Sequence, residues 1–333
     1  MEIISFISET IWSSLRNACP SSTVNILGLV SPTISGILAV ETALSYNVFR
    51  SALNSASMSF EALKGTDKAF TEWAIGTRGH PGQQKVAAAM RTILKESRNV
   101  RIAGENKVQD PYTLRCIPQV YGAVLDTLDY VKSTITTEIN SATDNPLVNE
   151  EEYVSVGNFH GEPVAFACDF LAIALTDLGN IIERRLARIT DANLSGLPPF
   201  LIERSGFNSG YMIPQYTAAA LCNRNKTLCT PSSADTIPTC ANQEDHVSMG
   251  TNSALKLIEI VENLQTIVSI EFLLSAQGLE FIQEKTSPDV EKLKSEIRKK
   301  VPKLTEDRPA TPDIDLLVKL VGKGELAWNG KLN

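Results

Sequence analysis

The stretch that decides the fold runs from Ser248 to Gly278 and reads SMGTNSALKLIEIVENLQTIVSIEFLLSAQG. Apolar residues recur along it at steps of three and four, the spacing of one helix face: Leu257, Val261, Leu264 and Val268. The stretch contains no proline and is more than twice as long as an average helix of about 11 residues. So long a helix must bury its apolar stripe against other helices, which predicts a helical bundle.

Three further segments show the helical pattern, and they support the same architecture. They are Ser35 to Leu63, Val120 to Ile139, and Pro163 to about Thr190. The third is almost wholly apolar through VAFACDFLAIAL, so we expect it to be buried on most sides. A shorter amphipathic helix near Val290 to Lys300 precedes a proline-rich tail.

One segment alone reads as strand. LVNEEEYVSV has two short β-like runs, Leu147 to Val148 and Tyr153 to Val156, around an acidic turn. The sequence therefore predicts a mostly α fold with one small β-hairpin.

Composition narrows the functional class. With 333 residues, 43% of them hydrophobic, the chain can build a large core, and its net charge of −7 argues against nucleic-acid binding. Six scattered cysteines without a C-x-x-C pair favour reduced thiols. The N-terminus has no basic region before its apolar residues, and no apolar run approaches the roughly 20 residues of a membrane span. We expect a cytoplasmic protein without a membrane partner.

Three polar clusters could carry chemistry. In the first, Gln109, Tyr112 and Arg115 offer an amide, a phenol and a guanidinium that can grip a carboxylate through two hydrogen bonds. On composition alone, a polar helix start with Asp110 and Pro111 explains the same residues.

The second cluster flanks the hairpin. Asp144-Asn145-Pro146 and Gly157-Asn158-Phe159-His160-Gly161-Glu162 consist largely of turn-forming residues. His160 is the exception, although a single histidine is more often a hydrogen-bonded structural residue than a catalytic one.

The third cluster, Asn242 to His246, reads NQEDH and precedes the longest predicted helix. Carboxylates at a helix start are favoured by the dipole, so an N-terminal cap is the simple interpretation. A metal site is not predicted, because consecutive side chains diverge and no H-x-x-x-H pair supports one.

The segments VQDPYTLRCIPQVYGA, NSATDNPLV, GNFHGEPVAFA, NSGYMIPQYTAAAL and ANQEDHVSMG, in this order, closely resemble the aromatic amino acid lyase family, in particular its members that act on histidine. RGHPGQ at 78–83 and EDRPATPDI at 306–314 resemble family signatures that flank them. The resemblance covers about 28–321, which leaves 1–27 as an unplaced leader and 322–333 as a C-terminal tail.

The resemblance implies a long-helix bundle that assembles as a homotetramer, with each active site built from several chains. In that family an Ala-Ser-Gly tripeptide cyclises to a methylidene-imidazolone, an electrophile that promotes loss of the substrate's amino group. A tyrosine removes a β-proton, and histidine yields urocanate and ammonia.

Carried over to this chain, the resemblance implies that the first cluster binds the polar end of the substrate. Arg115 would bind the carboxylate, while Gln109 and Tyr112 would line the electrophile as the catalytic pair.

The other two clusters would surround the rest of a small, histidine-like substrate. Phe159 would pack beside the reacting carbon, with Asn145 and His160 close by. Glu244 would contact the imidazole ring, a position where phenylalanine lyases resemble NQDVNS.

Two departures from the family pattern stand out. The sequence contains no Ala-Ser-Gly, so we expect the electrophile only on a partner segment. The family's L-L-N-G-T reads here Leu29-Val30-Ser31-Pro32-Thr33, so Ser31 replaces an asparagine that contacts the electrophile or substrate. Loss of one such donor could cost about 2.7–4 kcal/mol of transition-state stabilisation.

Three hypotheses follow. In the first, the chain is the C-terminal subunit of a split enzyme and works with a separate N-terminal half that carries Ala-Ser-Gly and the tyrosine base. In the second, it is a non-catalytic homologue that binds a small amino acid or serves as an oligomeric scaffold. The third, lyase or aminomutase chemistry on another aromatic amino acid, is disfavoured because a carboxylate at Glu244 gains no hydrogen bond from a benzene ring.

Overall fold

The computed structural model describes residues 30–101 and 108–332, and it confirms the mostly α architecture. Eleven α-helices lie within these residues: α1 (Val30–Ala62), α2 (Glu72–Gly76), α3 (Pro81–Ile93), α4 (Tyr112–Arg115), α5 (Ile117–Glu138), α6 (Glu162–Thr190), α7 (Ala192–Ser195), α8 (Met212–Leu228), α9 (Gly250–Gly278), α10 (Pro288–Arg298) and α11 (Thr311–Gly322). The longest four, α1, α5, α6 and α9, contain 33, 22, 29 and 29 residues. They correspond to the four long helices predicted from apolar spacing.

Two helix predictions were wrong in detail, both because of proline. Helix α1 begins at Val30 and not at Ser35, since Pro32 falls in its first turn, where no backbone N–H is needed. Helix α11 lies in the segment interpreted as a proline-rich tail, and Pro312 likewise occupies its first turn.

The predicted hairpin is present, although its second strand is shorter than expected. Strand β1 (Leu147–Val148) pairs antiparallel with β2 (Tyr153–Val154). The prediction extended β2 to Val156, but the Val156 N–H donates to the side chain of Asn145 at 2.8 Å instead of continuing the ladder.

The described chain divides into two compact units. The hairpin unit comprises residues 30–46, 127–174 and 227–261, and its core includes Leu38, Leu128, Leu171 and Leu257. The helical unit comprises 47–126, 175–226 and 262–332, and its core includes Phe49, Leu178, Leu264 and Phe272. Helices α1, α5, α6 and α9 each contribute residues to both units.

A buried polar network joins four helices within the helical unit. Arg185 on α6 donates from Nε to Glu271 Oε1 on α9 at 2.7 Å, and from Nη2 to the Tyr121 hydroxyl on α5 at 2.5 Å. The hydroxyls of Ser55 and Ser59 on α1 donate to the same carboxylate at 2.6 and 2.9 Å. Burial raises the pKa of Tyr121, so its phenol stays protonated. The two charged side chains of the network, Arg185 and Glu271, therefore neutralise each other.

Residues beyond α11 pack against α1. Arg50 Nη1 donates to the carbonyls of Trp328 and Gly330 at 3.0 and 3.1 Å, and Asn54 Nδ2 donates to that of Leu326 at 2.9 Å. The predicted C-terminal tail is thus docked on the helical unit by backbone acceptors. The limits predicted for the lyase-like domain, 28–321, stay a prediction.

Helix α6 is the one described helix that is long and apolar enough to cross a membrane, judged by length and composition alone. However, 67% of its most apolar window is buried inside the protein, as in the core helix of a bundle. It also carries the buried charged residues Asp169 and Arg185. These observations give only weak support for a membrane span.

Candidate active site

Three of the predicted site residues line one cavity in the helical unit. Gln109, Tyr112 and Arg115 lie around a space of about 380 Å³, together with Arg188, Asn193 and Leu194. The spacing of the first cluster thus brings its amide, phenol and guanidinium to a common cavity.

Asp110 fixes this cluster to the rest of the helical unit. It is buried, and its carboxylate accepts the backbone N–H of Thr66 at 2.6 Å and Nη2 of Arg101 at 2.6 Å. Pro111 follows as the N-cap residue of α4, so the chain enters the helix in a fixed direction. Asp110 therefore has a structural role, because its buried hydrogen bonds fix the segment that carries Gln109 and Tyr112.

Arg115 has an unsatisfied hydrogen-bonding group at the cavity. Its guanidinium carbon lies 4.6 Å from the centre of the Tyr112 ring, while its Nε is buried and has no hydrogen-bond partner among the described residues. A buried donor without an acceptor costs about 1–3 kcal/mol, more when it is charged. The guanidinium of Arg115 lines the cavity, where it can form a charge-assisted pair with a substrate carboxylate.

The buried network around Arg185 also contacts helix α4. Arg185 Nη1 donates to the Thr113 carbonyl at 3.1 Å, which links the turn that carries Tyr112 and Arg115 to Glu271. Residue spacing did not predict this contact. The available signal was Glu271, a single charged residue in the otherwise apolar stretch IVSIEFLL.

In the hairpin unit, Asn145 holds the hairpin closed. Its Oδ1 accepts the Ser155 hydroxyl at 3.1 Å and the Val156 N–H at 2.8 Å. The amide oxygen is therefore engaged in the local structure, which agrees with a turn-forming role. The proposed contact between Asn145 and substrate stays a prediction.

The structure joins the second predicted cluster to the third. The backbone N–H of His160 donates to the Gly157 carbonyl at 2.9 Å and so closes the turn before α6. The Phe159 ring in this turn is about half exposed. His160 Nε2 lies 3.2 Å from His246 Nδ1. These two histidines are separated by more than one helix in sequence, so spacing alone could not pair them.

Glu244 belongs to a closed, strained loop. Its Oε2 accepts the Thr239 hydroxyl at 2.6 Å, and the two residues also exchange backbone hydrogen bonds of 2.8 and 3.3 Å. Between them, Cys240, Ala241 and Asn242 have left-handed φ values of 48°, 53° and 67°. Such residues cost on the order of 1–3 kcal/mol each and concentrate at functional sites. The helix-cap interpretation of Glu244 was wrong, because α9 begins only at Gly250.

Asp169 anchors the start of the segment that leads to Glu244, and the sequence analysis missed it. Its carboxylate accepts four hydrogen bonds, from the backbone N–H groups of Ser232 and Ser233, the Ser253 hydroxyl and the Lys256 ammonium. Burial acts to raise the pKa of Asp169, but these donors hold it below its usual value. A lone aspartate within VAFACDFLAIAL was the available signal.

Some predicted features lie outside the described part of the molecule. Ser31 belongs to the first turn of α1, but its side chain is not described, and neither is the leader 1–27. Gln109, Tyr112 and Arg115 belong to the helical unit, whereas Asn145, Phe159, His160 and Glu244 belong to the hairpin unit.

A model of the aromatic amino acid lyase family matches residues 26–299. A probable histidine ammonia-lyase from Thermoplasma volcanium is 61% identical over 293 residues, which are 88% of this chain and 59% of that protein.

Two solved structures share the fold at high similarity. The histidine ammonia-lyase from Trypanosoma cruzi has a TM-score of 0.82 and 42% identity, over 88% of this chain and 56% of that one. The tyrosine aminomutase from Streptomyces globisporus has a TM-score of 0.86 and 32% identity, over 90% of this chain and 63% of that one. This chain thus spans a little more than half the length of its relatives. Because the family model matches most of its residues, the chain belongs to the aromatic amino acid lyase family.

Proposed function

We propose that this chain is part of a histidine ammonia-lyase, and that it converts L-histidine to urocanate and ammonia once an Ala-Ser-Gly segment from outside these 333 residues joins it. In the arrangement predicted from the sequence, that segment is an N-terminal half on a separate subunit. The observation that carries the proposal is that Gln109, Tyr112 and Arg115 line one cavity. Histidine ammonia-lyases among its relatives support the same reaction.

Each proposed role follows from side-chain chemistry. Arg115 donates hydrogen bonds to the substrate carboxylate and so fixes the amino acid end. Glu244 offers a carboxylate that can accept a hydrogen bond from an imidazole N–H. Phe159 offers an exposed ring that packs against the substrate and excludes water from it.

The residues of the cavity fit a carbonyl-bearing electrophile. Gln109 supplies amide donors, and Tyr112, at 70% exposure, supplies a hydroxyl that is open to a neighbouring group. The methylidene-imidazolone, when present, supplies the electrophilic carbon that promotes departure of the amino group. Gln109 and Tyr112 would hold it, and Tyr112 is placed to hold or move a proton beside it.

A non-catalytic homologue that binds a small amino acid is the second candidate. It is favoured by the change to Ser31-Pro32, which removes an amide donor and a flexible glycine. Chemistry on phenylalanine is disfavoured by Glu244, because a benzene ring offers this carboxylate no hydrogen bond.

Calorimetric titration of the assembled protein with histidine, urocanate and phenylalanine tests the binding roles. Arg115→Gln removes one charge-assisted interaction, so we expect histidine affinity to fall about 10- to 100-fold. Lys319→Gln, which removes the same charge from an exposed position on α11, should leave affinity unchanged. Equal histidine affinities for wild type and Arg115→Gln would contradict the proposed site.

We also propose that the protein is located in the cytoplasm. The five described cysteines, Cys116, Cys168, Cys222, Cys229 and Cys240, are free thiols. Free thiols support a reducing compartment such as the cytoplasm.

A further inference from the structure

We propose that His160, Glu162 and His246 form a binding site for a divalent metal ion of the zinc type. His160 and Glu162 lie at the start of α6, and His246 lies in the loop that precedes α9. One ligand atom from each of the three residues lies within 4.8 Å of the other two. All three belong to the hairpin unit.

The two imidazoles already have the separation of zinc ligands. His160 Nε2 and His246 Nδ1 are 3.2 Å apart. Zinc binds imidazole nitrogen at about 2.0–2.1 Å in tetrahedral geometry, which places two such nitrogens about 3.3 Å from each other. A metal ion can therefore bind both rings with little movement of either.

Glu162 gives a second and independent indication. Its Oε2 is buried and has no hydrogen-bond partner among the described residues. The nearest basic nitrogen, His160 Nδ1, is 3.9 Å away, which is too far for a hydrogen bond. A buried carboxylate oxygen without a donor is costly, and a cation bound by the adjacent imidazoles would neutralise it.

The donor set selects the class of metal. Two imidazoles and one carboxylate favour zinc, cobalt or nickel, whereas magnesium and calcium prefer oxygen ligands throughout. Three protein ligands leave a fourth tetrahedral position for water or a small ligand. Without metal, His160 Nε2 lies within hydrogen-bonding distance of both His246 Nδ1 and the His246 carbonyl oxygen, at 3.2 and 3.3 Å.

The ion would connect two segments that carry proposed substrate contacts. Phe159 directly precedes His160, and Glu244 lies two residues before His246. Metal binding would therefore order the turn before α6 and the strained loop at Cys240 to Asn242 at the same time. Residue spacing predicted no metal site because Glu244, Asp245 and His246 are adjacent in sequence, whereas the other two ligands, His160 and Glu162, lie at the start of α6.

The test uses chelator-treated full-length chain titrated with zinc, with cobalt as a spectroscopic probe and magnesium as a control for hard cations. We expect one zinc ion per chain, a tetrahedral cobalt spectrum and a higher melting temperature with zinc. His160→Gln, Glu162→Gln and His246→Gln should each weaken zinc binding at least about tenfold, since loss of even an outer-shell partner costs 10- to 100-fold.

Two matched variants keep the test specific. His80 is the one histidine of the sequence outside the proposed site, and Cys240 is an exposed thiol within the strained loop, so His80→Gln and Cys240→Ser should bind zinc like wild type. His246 is exposed, and circular dichroism of His246→Gln should match wild type. Absence of saturable zinc binding, equal binding of magnesium, or binding that survives His246→Gln in a folded protein would overturn the proposal. None of these outcomes depends on histidine turnover.

Discussion

Glu271 shows how much of the site's rigidity depends on a single buried residue. Its carboxylate is fully enclosed and satisfies Arg185, which in turn holds the Thr113 carbonyl of α4. In Glu271→Ala the guanidinium of Arg185 would remain buried without its counter-ion, and breaking a buried pair costs about 3–5 kcal/mol. We therefore expect a large decrease in the urea midpoint, measured by circular dichroism.

An exposed ion pair provides the control for Glu271. Glu325 lies 3.8 Å from Lys300, and both side chains are more than 40% exposed. Because such pairs contribute about 0–1 kcal/mol, Glu325→Ala should unfold close to the wild-type midpoint. Similar midpoints for the two variants would show that the buried network does not stabilise the helical unit.

At the residue scale, local spacing predicted more than long-range pairing did. Gln109, Tyr112 and Arg115 lie within seven consecutive residues, so a shared cavity could be anticipated from their positions. His160 with His246, and Arg185 with Thr113, meet only because helices bring distant segments together. Sequence periodicity identifies the apolar face of each helix. It does not specify which residues of two helices contact each other.

At the scale of elements, helices α3 and α5 approach each other at two glycines of the helical unit. A Cβ atom on Gly122 would lie 2.4 Å from the backbone N of Gln83 and 2.5 Å from its Cα. Since backbone cannot yield as a side chain does, we expect Gly122→Ala to destabilise the protein by about 1–3 kcal/mol. Thermal unfolding followed by calorimetry measures this change.

The same substitution at a different glycine should have the opposite sign. Gly36 is exposed on α1, and a Cβ there would meet nothing within 4 Å. Alanine has the higher helix propensity, so Gly36→Ala should stabilise by up to about 1 kcal/mol. Destabilisation by Gly36→Ala, or none by Gly122→Ala, would contradict the described helix packing.

The sequence predicted long helices better than it predicted loops. Apolar spacing identified α1, α5, α6 and α9, because their stripes are long enough to distinguish a helix from other structure. Proline in a first turn obscured the start of α1 and the whole of α11. The left-handed residues Cys240 to Asn242 carry no glycine, so composition gave no sign of the turn that positions Glu244.

At the scale of the whole molecule, an aromatic surface in the hairpin unit supports assembly with further copies of the chain. Phe166, Phe170 and Ile173 lie at helical spacing on α6. The ring centre of Phe170 is 5.8 Å from that of Phe166 and 6.0 Å from that of Tyr130 on α5. These four side chains are 40–46% exposed, which is unusual for large apolar groups gathered on one face. We expect them to lie at a contact between chains.

Light scattering after size-exclusion chromatography tests that expectation. Phe170→Asp would bury a charge in an apolar contact, so the mass of the assembly should decrease. Phe170→Leu keeps the position apolar and should retain the wild-type mass. An unchanged mass for Phe170→Asp would exclude this surface from the contact.

The fold class could be predicted for the whole chain, and family membership followed from the order of its motifs. The number of chains in the assembly and the source of the electrophile could not be derived from residue spacing. In the proposed function both depend on residues outside this chain, and neither apolar periodicity nor local polar clusters specify a partner.

Formation of urocanate tests whether this chain supplies the histidine-binding part of an ammonia-lyase. The chain is co-expressed with an Ala-Ser-Gly-bearing N-terminal half of a histidine ammonia-lyase, and the purified stoichiometric complex is followed by urocanate absorbance. We predict turnover of histidine but not of phenylalanine, and its loss in Arg115→Gln. A well-folded complex that forms no urocanate, or that deaminates phenylalanine equally well, would contradict the account.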